Sequence, residues 1–181
     1  MIVSDKKLKQ KVTFHRCTTA DIDQIIQIAQ TTYRQHYQYL WKDQGEHYIE
    51  TSYNPTAIAA ELADENVRLY LIQQGETVFG FLKINQDAAY GNCTAQEGME
   101  IQRIYLKNEA TGKGIGSATL REVDELAQRL GKRMVWLKVM DSSPALKFYQ
   151  KGGYDISGET KLEVDGIFPH LQRQLVLTKR T

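Results

Sequence analysis

The residues with the clearest chemical potential form one run, Leu106-Lys107-Asn108-Glu109-Ala110-Thr111-Gly112-Lys113-Gly114-Ile115-Gly116-Ser117. A strand-like segment passes through Gly-x-Gly-x-Gly into residues of helical periodicity. Glycines let a backbone come close to a ligand and turn its N–H groups inward. The start of the following helix adds unpaired donors and partial positive charge. Such a site suits a phosphate or pyrophosphate, and a glycine-rich turn without ligand is the simpler alternative. Two nucleotide-binding patterns do not fit. A dinucleotide fingerprint belongs on the first strand of its fold, whereas this turn follows the fourth. A P-loop ends in Gly-Lys-Ser/Thr, and Gly116-Ser117 lacks that lysine.

A second concentration lies between residues 33 and 53, which hold Tyr33, Tyr37, Tyr39, Tyr48, Tyr53 and Trp41 with Asp43, Glu46 and Glu50. Aromatic faces attract ammonium groups, and the carboxylates would add acidic character. Helix packing and a solvated helix face account for the same residues. Cys17 and Cys93 have neither a nearby His nor a glycine elbow, so they read as plain thiols rather than acyl carriers. His15, His36, His47 and His170 show no metal-ligand spacing. No metal is expected.

The elements that must position these groups are legible in outline. Val12 to Cys17 reads as a strand. Thr18-x-x-Asp21 then signals a helix start, followed by Ile22, Ile25, Ile26, Ala29 and Tyr33 at helical spacing. Asn54-Pro55 starts a second helix. Val67 to Ile84 reads as a hairpin turning at Gln73–Glu76, and Met99 to Leu106 as a further strand. Ile115, Leu120, Val123, Ala127 and Leu130 mark a long helix stopped by Gly131. Arg133 to Val139 is a short apolar strand, Ser143-Pro144 opens a last helix, and Tyr154–Val164 with Gln172–Thr178 form a closing antiparallel pair. The strand-helix-strand unit over 99–139 requires a parallel pair and a right-handed crossover. The predicted class is mixed α/β, with a mostly antiparallel sheet of six to seven strands, one parallel pair and helices on both faces. Alternation along the 99–106 strand puts Glu100, Gln102 and Ile104 on one face.

Composition agrees with one domain over 1–181, residues 1–11 forming a flexible N-terminus. The chain has 181 residues, 41% apolar and 25% charged, with 23 Lys+Arg against 22 Asp+Glu. A net charge of +1 argues against a nucleic-acid or anionic-membrane binder, both of which need a basic surplus. Two cysteines are too few for a disulfide scaffold, and no apolar run exceeds four residues. The expected location is the cytoplasm.

Glu100 to Leu120 resembles motif A of the GNAT N-acetyltransferase family, a strand E-x-x-x-I-x-L followed by x-x-G-x-G opening a helix. Ala145-Leu146-Lys147-Phe148-Tyr149-Gln150-Lys151-Gly152-Gly153-Tyr154 resembles its motif B. The two stand in the family's order and spacing, and the elements from Val12 to Thr178 fit its fold. Met99 to Asn108, Trp136-Leu137-x-Val139 and Phe148 to Lys151 look most like bacterial Pai-type spermidine/spermine acetyltransferases. Thr111 stands where the family usually has Gln or Arg. Ser142 or Ser143 replaces its asparagine before motif B, in a loop one residue shorter.

The resemblance implies acetyl-CoA as acyl donor and a small-molecule amine as acceptor, with a polyamine such as spermidine or spermine in view. It implies no nucleic acid and no membrane, and leaves a homodimer open. Attack occurs directly in a ternary complex. An amine of pKa near ~10 must lose a proton before attack, and a thiolate of pKa ~8.5 must be stabilised as it leaves. By position in the family pattern, Glu100 is the general base and Tyr149 the acid. A phenol of pKa ~10 donates to such a thiolate uphill by roughly 2 kcal/mol, so hydrogen bonding to the developing charge is the better description of Tyr149. The backbone of Ile104, Tyr105 and Leu106 faces the pantetheine. Thr111, Gly112, Lys113, Gly114, Ile115, Gly116 and Ser117 hold the pyrophosphate, and Ser142 lies by the pantetheine. The aromatic segment falls where the family builds its acceptor wall. Two alternatives remain: an acceptor that is a protein N-terminus or lysine, and a non-catalytic acyl-CoA-binding regulatory module.

Overall fold

A computed structural model describes residues 11–181. The flexible segment expected over 1–11 therefore lies, apart from Lys11, outside the described residues. In chain order the elements are β1 (Val12–Arg16), α1 (Ile22–His36), α2 (Glu46–Ser52), α3 (Pro55–Ala63), β2 (Val67–Gln74), β3 (Thr77–Asn85), β4 (Gly98–Leu106), α4 (Ile115–Arg129), β5 (Met134–Met140), α5 (Ala145–Lys151), β6 (Asp155–Lys161) and β7 (Arg173–Arg180). The strands form one sheet in the order β1-β2-β3-β4-β5-β7-β6. Every neighbouring pair is antiparallel except β4–β5, which is parallel. The predicted class and the single parallel pair are both present.

Local signals explain most boundaries. Thr18 Oγ1 accepts from Ala20 N at 3.3 Å, while Asp21 Oδ2 accepts from Thr18 N at 2.7 Å, a reciprocal cap ahead of α1. Asn54 Oδ1 accepts from Ala57 N at 2.9 Å, with Pro55 at the first position of α3. Helix α2 was not legible beforehand. Its seven residues contribute one fully buried apolar side chain, Ile49, so no period shows. Its start instead depends on the Asp43 carboxylate, which accepts from Gly45 N (2.9 Å) and His47 N (3.0 Å).

Both sheet faces are covered. Ile115, Leu120, Val123 and Tyr149 pack on Met99, Ile101, Val135 and Leu137. On the other face Ile25, Ile28, Tyr33, Ile49 and Ile58 pack on Leu69, Leu71, Phe81 and Met140. No helix among the described residues is long and apolar enough to cross a membrane.

Two features of β4 shape the site. Its pairing with β5 runs only from Gly98↔Met134 to Ile101↔Leu137, although β4 continues to Leu106 and β5 to Met140. Its pairing with β3 skips a residue, with Arg103 opposite Lys83 and Ile101 opposite Ile84. Gln102 is thus the extra residue of a β-bulge, which bends and twists its strand. The bulge corrects the expected alternation. Ile101 and Ile104 pack on the α4 side, whereas Tyr105 packs on the α1 side and Arg103 reaches Glu61 of α3. Glu100, paired opposite Asn85, shares the face of Arg103 rather than that of Ile104.

The β3–β4 contact requires a glycine. A Cβ on Gly80 would stand 2.0 Å from the Tyr105 carbonyl oxygen, which is backbone and cannot swing aside. Gly80→Ala should therefore cost about 1–3 kcal/mol or more. Thermal unfolding should show a lowered Tm, and an unchanged Tm would mean that β4 is not held against β3 as described.

Candidate active site

The site begins where β4 and β5 stop pairing. Two compartments open there. One, of about 620 Å³, runs past Leu106, Thr111, Gly112, Gly114, Gly116 and Ser117. The other, of about 310 Å³, is bounded by Tyr33, Tyr48, Glu100, Arg103, Tyr105 and Lys138. They share Tyr37, Ile104, Ser143, Ala145 and Tyr149 as common wall.

The glycine turn lies at one end of the larger compartment, and its backbone donors suit an anion. Gly112 and Gly114 adopt φ of +73° and +74°, in the left-handed region. No heavy atom lies within 4 Å of where a Cβ would stand on either, so the space beside both backbones is open. Ala118 N donates to Gly114 O at 3.0 Å, closing the first turn of α4. The N–H groups of Ile115, Gly116 and Ser117 then have no carbonyl within the helix to meet. Gly116 serves a different purpose, since a Cβ there would press on the Phe148 ring at 3.0 Å. That glycine lets α5 seat against α4.

Of the residues singled out in the sequence, Ile104, Leu106, Thr111, Gly112, Gly114, Gly116 and Ser117 line the larger compartment. Tyr105 lines the smaller one. Lys113, Ile115 and Ser142 lie outside both linings. The Lys113 ammonium sits 4.6 Å from the centre of the Phe79 ring, Ile115 is fully buried in the core, and Ser142 Oγ lies 3.0 Å from Tyr39 Oη. Ser143 takes the place on the shared wall.

Tyr149, on α5, is 8% exposed and faces both compartments. Its hydroxyl has no hydrogen-bond partner among the described residues, and burial, with Tyr37 beside it, pushes the phenol well above its ordinary pKa. Glu100 belongs to the smaller compartment, where Oε2 accepts from Asn85 Nδ2 at 2.7 Å.

The rest of the smaller compartment is a wall of rings. Tyr33 stacks on Tyr48 with centroids 5.0 Å apart and meets Tyr37 at the same distance. Trp41 Nε1 donates to Tyr33 Oη (2.9 Å) and Tyr53 Oη donates to Tyr105 Oη (3.1 Å). Burial raises the phenols of Tyr33 and Tyr105 and pushes Tyr37 up to about 12, so all three are neutral at physiological pH. Behind them Glu61 accepts from Arg103 Nη1 at 2.8 Å and lies 2.6 Å from Lys83 Nζ. Burial and the Arg103 charge hold Lys83 below its ordinary pKa despite that partner. Asp43, Glu46 and Glu50 do not line the compartment. Asp43 caps α2, and Glu46 pairs through both oxygens with Arg34 at 2.7–2.8 Å.

The end of α1 adds residues that no motif announced. His36 Nε2 donates to Leu106 O at 2.9 Å, and Gln35 Oε1 accepts from Asn108 N at 3.1 Å. Together they fasten the end of β4 and the chain leading to the glycine turn. The available signal was the helical spacing of Tyr33 and His36, which puts both near one face.

Comparison with known proteins agrees with this geometry. The chain is 27% identical over 107 residues to an uncharacterised N-acetyltransferase of Lactobacillus delbrueckii subsp. lactis, covering 59% of this chain and 62% of that one. The chain thus spans about three fifths of that curated relative, and 29% and 51% of two others it matches. The PaiA N-acetyltransferase of Thermoplasma acidophilum, solved in complex with coenzyme A, has the same fold with TM-score 0.71 and 19% identity, covering 94% of this chain and 99% of that one. The spermidine/spermine N-acetyltransferase SpeG of Vibrio cholerae superposes with TM-score 0.65 and 15% identity, covering 94% and 92%. A family model described as acetyltransferase (GNAT) matches residues 22–154. That match begins with α1 and ends just past α5, so it spans both walls of the cleft, and the chain belongs to the GNAT acetyltransferase family.

Proposed function

We propose that this chain is an acetyl-CoA-dependent N-acetyltransferase acting on a primary amine by direct attack in a ternary complex. The observation that carries this reading is the pair of compartments meeting at Tyr149, one ending on an open helix N-terminus and the other walled by rings and Glu100. Phosphate groups would rest on the N–H groups of Gly112 to Ser117, with the acyl chain along Ile104 and Leu106. The larger compartment and its open glycine turn fit such a ligand in size and chemistry. When bound, acetyl-CoA supplies a thioester carbonyl for the amine and a sulfur that leaves.

The chain's own groups then divide the proton work. Glu100, fixed by Asn85, takes the proton from the acceptor ammonium at a carboxylate oxygen, directly or through water. Tyr149 offers its hydroxyl hydrogen to the departing sulfur. Because burial raises its pKa, full transfer is more uphill than for a free phenol, and Tyr149 acts as a hydrogen-bond donor to the developing charge. Retention of both groups at the shared cleft argues against a purely regulatory module. A polyamine such as spermidine or spermine has the tyrosine rings and the likeness to PaiA and SpeG in its favour, and against it a lining with one carboxylate and two cations. The acidic side chains Asp43, Glu46 and Glu50 lend it no support, because none of them lines the compartment.

An amine panel with acetyl-CoA and thiol-release detection tests the reaction. Release that depends on an amine is expected, and release with none of them would sink it. Gly114→Glu should abolish acetyl-CoA binding by calorimetry in a folded protein, since a φ of +74° and an anion-facing turn both reject that side chain. Tyr149→Phe should lower kcat by about 10²–10³-fold with acetyl-CoA affinity nearly unchanged. A fully active phenylalanine variant would return Tyr149 to the role of core residue.

A further inference from the structure

The charged groups of the smaller compartment are not those of a polycation site. Its lining holds one carboxylate, Glu100, and two cations, Arg103 and Lys138. The strand register sets where these stand. Past the last parallel pair, Ile101↔Leu137, Lys138 follows on β5, and beyond the bulge at Gln102 comes Arg103 on β4. One cation therefore flanks each side of the opening between the strands. Lys138 shares the sheet face of Trp136, its ammonium 5.6 Å from that ring centre, and has no carboxylate partner among the described residues.

Arg103 is 13% exposed; its Nη1 donates to Glu61 and its guanidinium carbon lies 5.3 Å from the centre of the Tyr53 ring. Glu61 is shared with Lys83, so one carboxylate serves two buried cations. Nε and Nη2 of Arg103 have no partner among the described residues. Arg103 lines the smaller compartment. A guanidinium with N–H groups that lack a hydrogen-bond partner, across the opening from an ammonium that lacks a carboxylate, is a recognition pattern for a carboxylate.

We infer that the acceptor carries an anionic group, in the simplest case the carboxylate of an amino acid, as well as its amine. This inference rests on the acetyl-transfer reading. The amine faces Glu100 and the rings, and the carboxylate faces Arg103 and Lys138. A compartment of about 310 Å³ is at the small end for a ligand site and suits a molecule of amino-acid size. A tetra-ammonium chain would meet two fixed cations there with one carboxylate to offset them.

The test uses matched pairs differing by one carboxylate, leucine against isopentylamine and tyrosine against tyramine, with spermidine alongside. At saturating acetyl-CoA the acid-bearing member should have the higher kcat/KM, by tenfold or more. Lys138→Glu, at an exposed position, should shrink that ratio at least tenfold, and Arg103→Gln should do the same where circular dichroism shows it folded. Equal or faster turnover of the decarboxylated amines or of spermidine overturns this inference and leaves acetyl transfer standing. So does an unchanged ratio in folded Lys138→Glu, or acetyl-CoA binding without turnover of any acid-bearing amine. Loss of both acetyl-CoA binding and thiol release with every amine overturns the function and this inference together.

Discussion

Beyond Ile101 and Leu137 the backbones of β4 and β5 no longer hydrogen-bond to each other, and the rest of the cleft depends on that interruption. Parallel strands that continued in register would close the sheet and leave no entry between its layers. Each strand is instead held from its outer side. Leu106 pairs with Gly80 of β3, and Met140 pairs with Gln174 of β7. The bulge at Gln102 supplies the bend that starts the divergence. Backbone polar groups left without a ladder partner must find others, and the His36 hydrogen bond to Leu106 O is one such repair. What remains open on the inner edges of the strands becomes the wall shared by both compartments.

The same interruption determines how charge is distributed. On the α4 side of the gap the compartment is lined by Ile104, Leu106, Ala110 and Phe148, by the N–H donors of the helix N-terminus and by Lys107, with no carboxylate. On the α1 side the tyrosines are kept neutral by burial, so the full charges there belong to Glu100, Arg103 and Lys138. Glu61 holds Arg103 and Lys83 in place from behind. A buried array of this kind contributes little net stability after desolvation. Its consequence is positional, because it fixes a guanidinium at the mouth of the gap while leaving part of that group free.

Local chemistry was readable from the sequence wherever the cause was local. Asn54-Pro55, the Thr18–Asp21 cap, the stop at Gly131 and the glycine turn before α4 each depend on residues within a few positions of one another. Strand and helix periods reported which faces are buried, and the strand-helix-strand unit from β4 to β5 required a parallel pair. Two motifs in order were enough to recognise the family and to select Tyr149 and Glu100.

What the sequence did not contain were effects that arise between distant segments. The bulge at Gln102 exists because β4 must pair with β3 on one side and leave β5 on the other, and no local pattern marks it. It decided that Arg103, not Ile104, shares the face of Glu100. Helix α2 hides in the tyrosine-rich stretch because its buried surface is set by the rings of Tyr33 and Trp41 stacking on Tyr48. Lys113 and Ser142 neighbour lining residues along the chain, yet Phe79 and Tyr39, far away in sequence, decide where their side chains rest. Thus short-range hydrogen bonding and hydrophobic period determined most of the elements and the glycine turn from sequence alone. Which side chains meet across the β4–β5 gap, and with what balance of charge, was decided only when the tertiary packing closed.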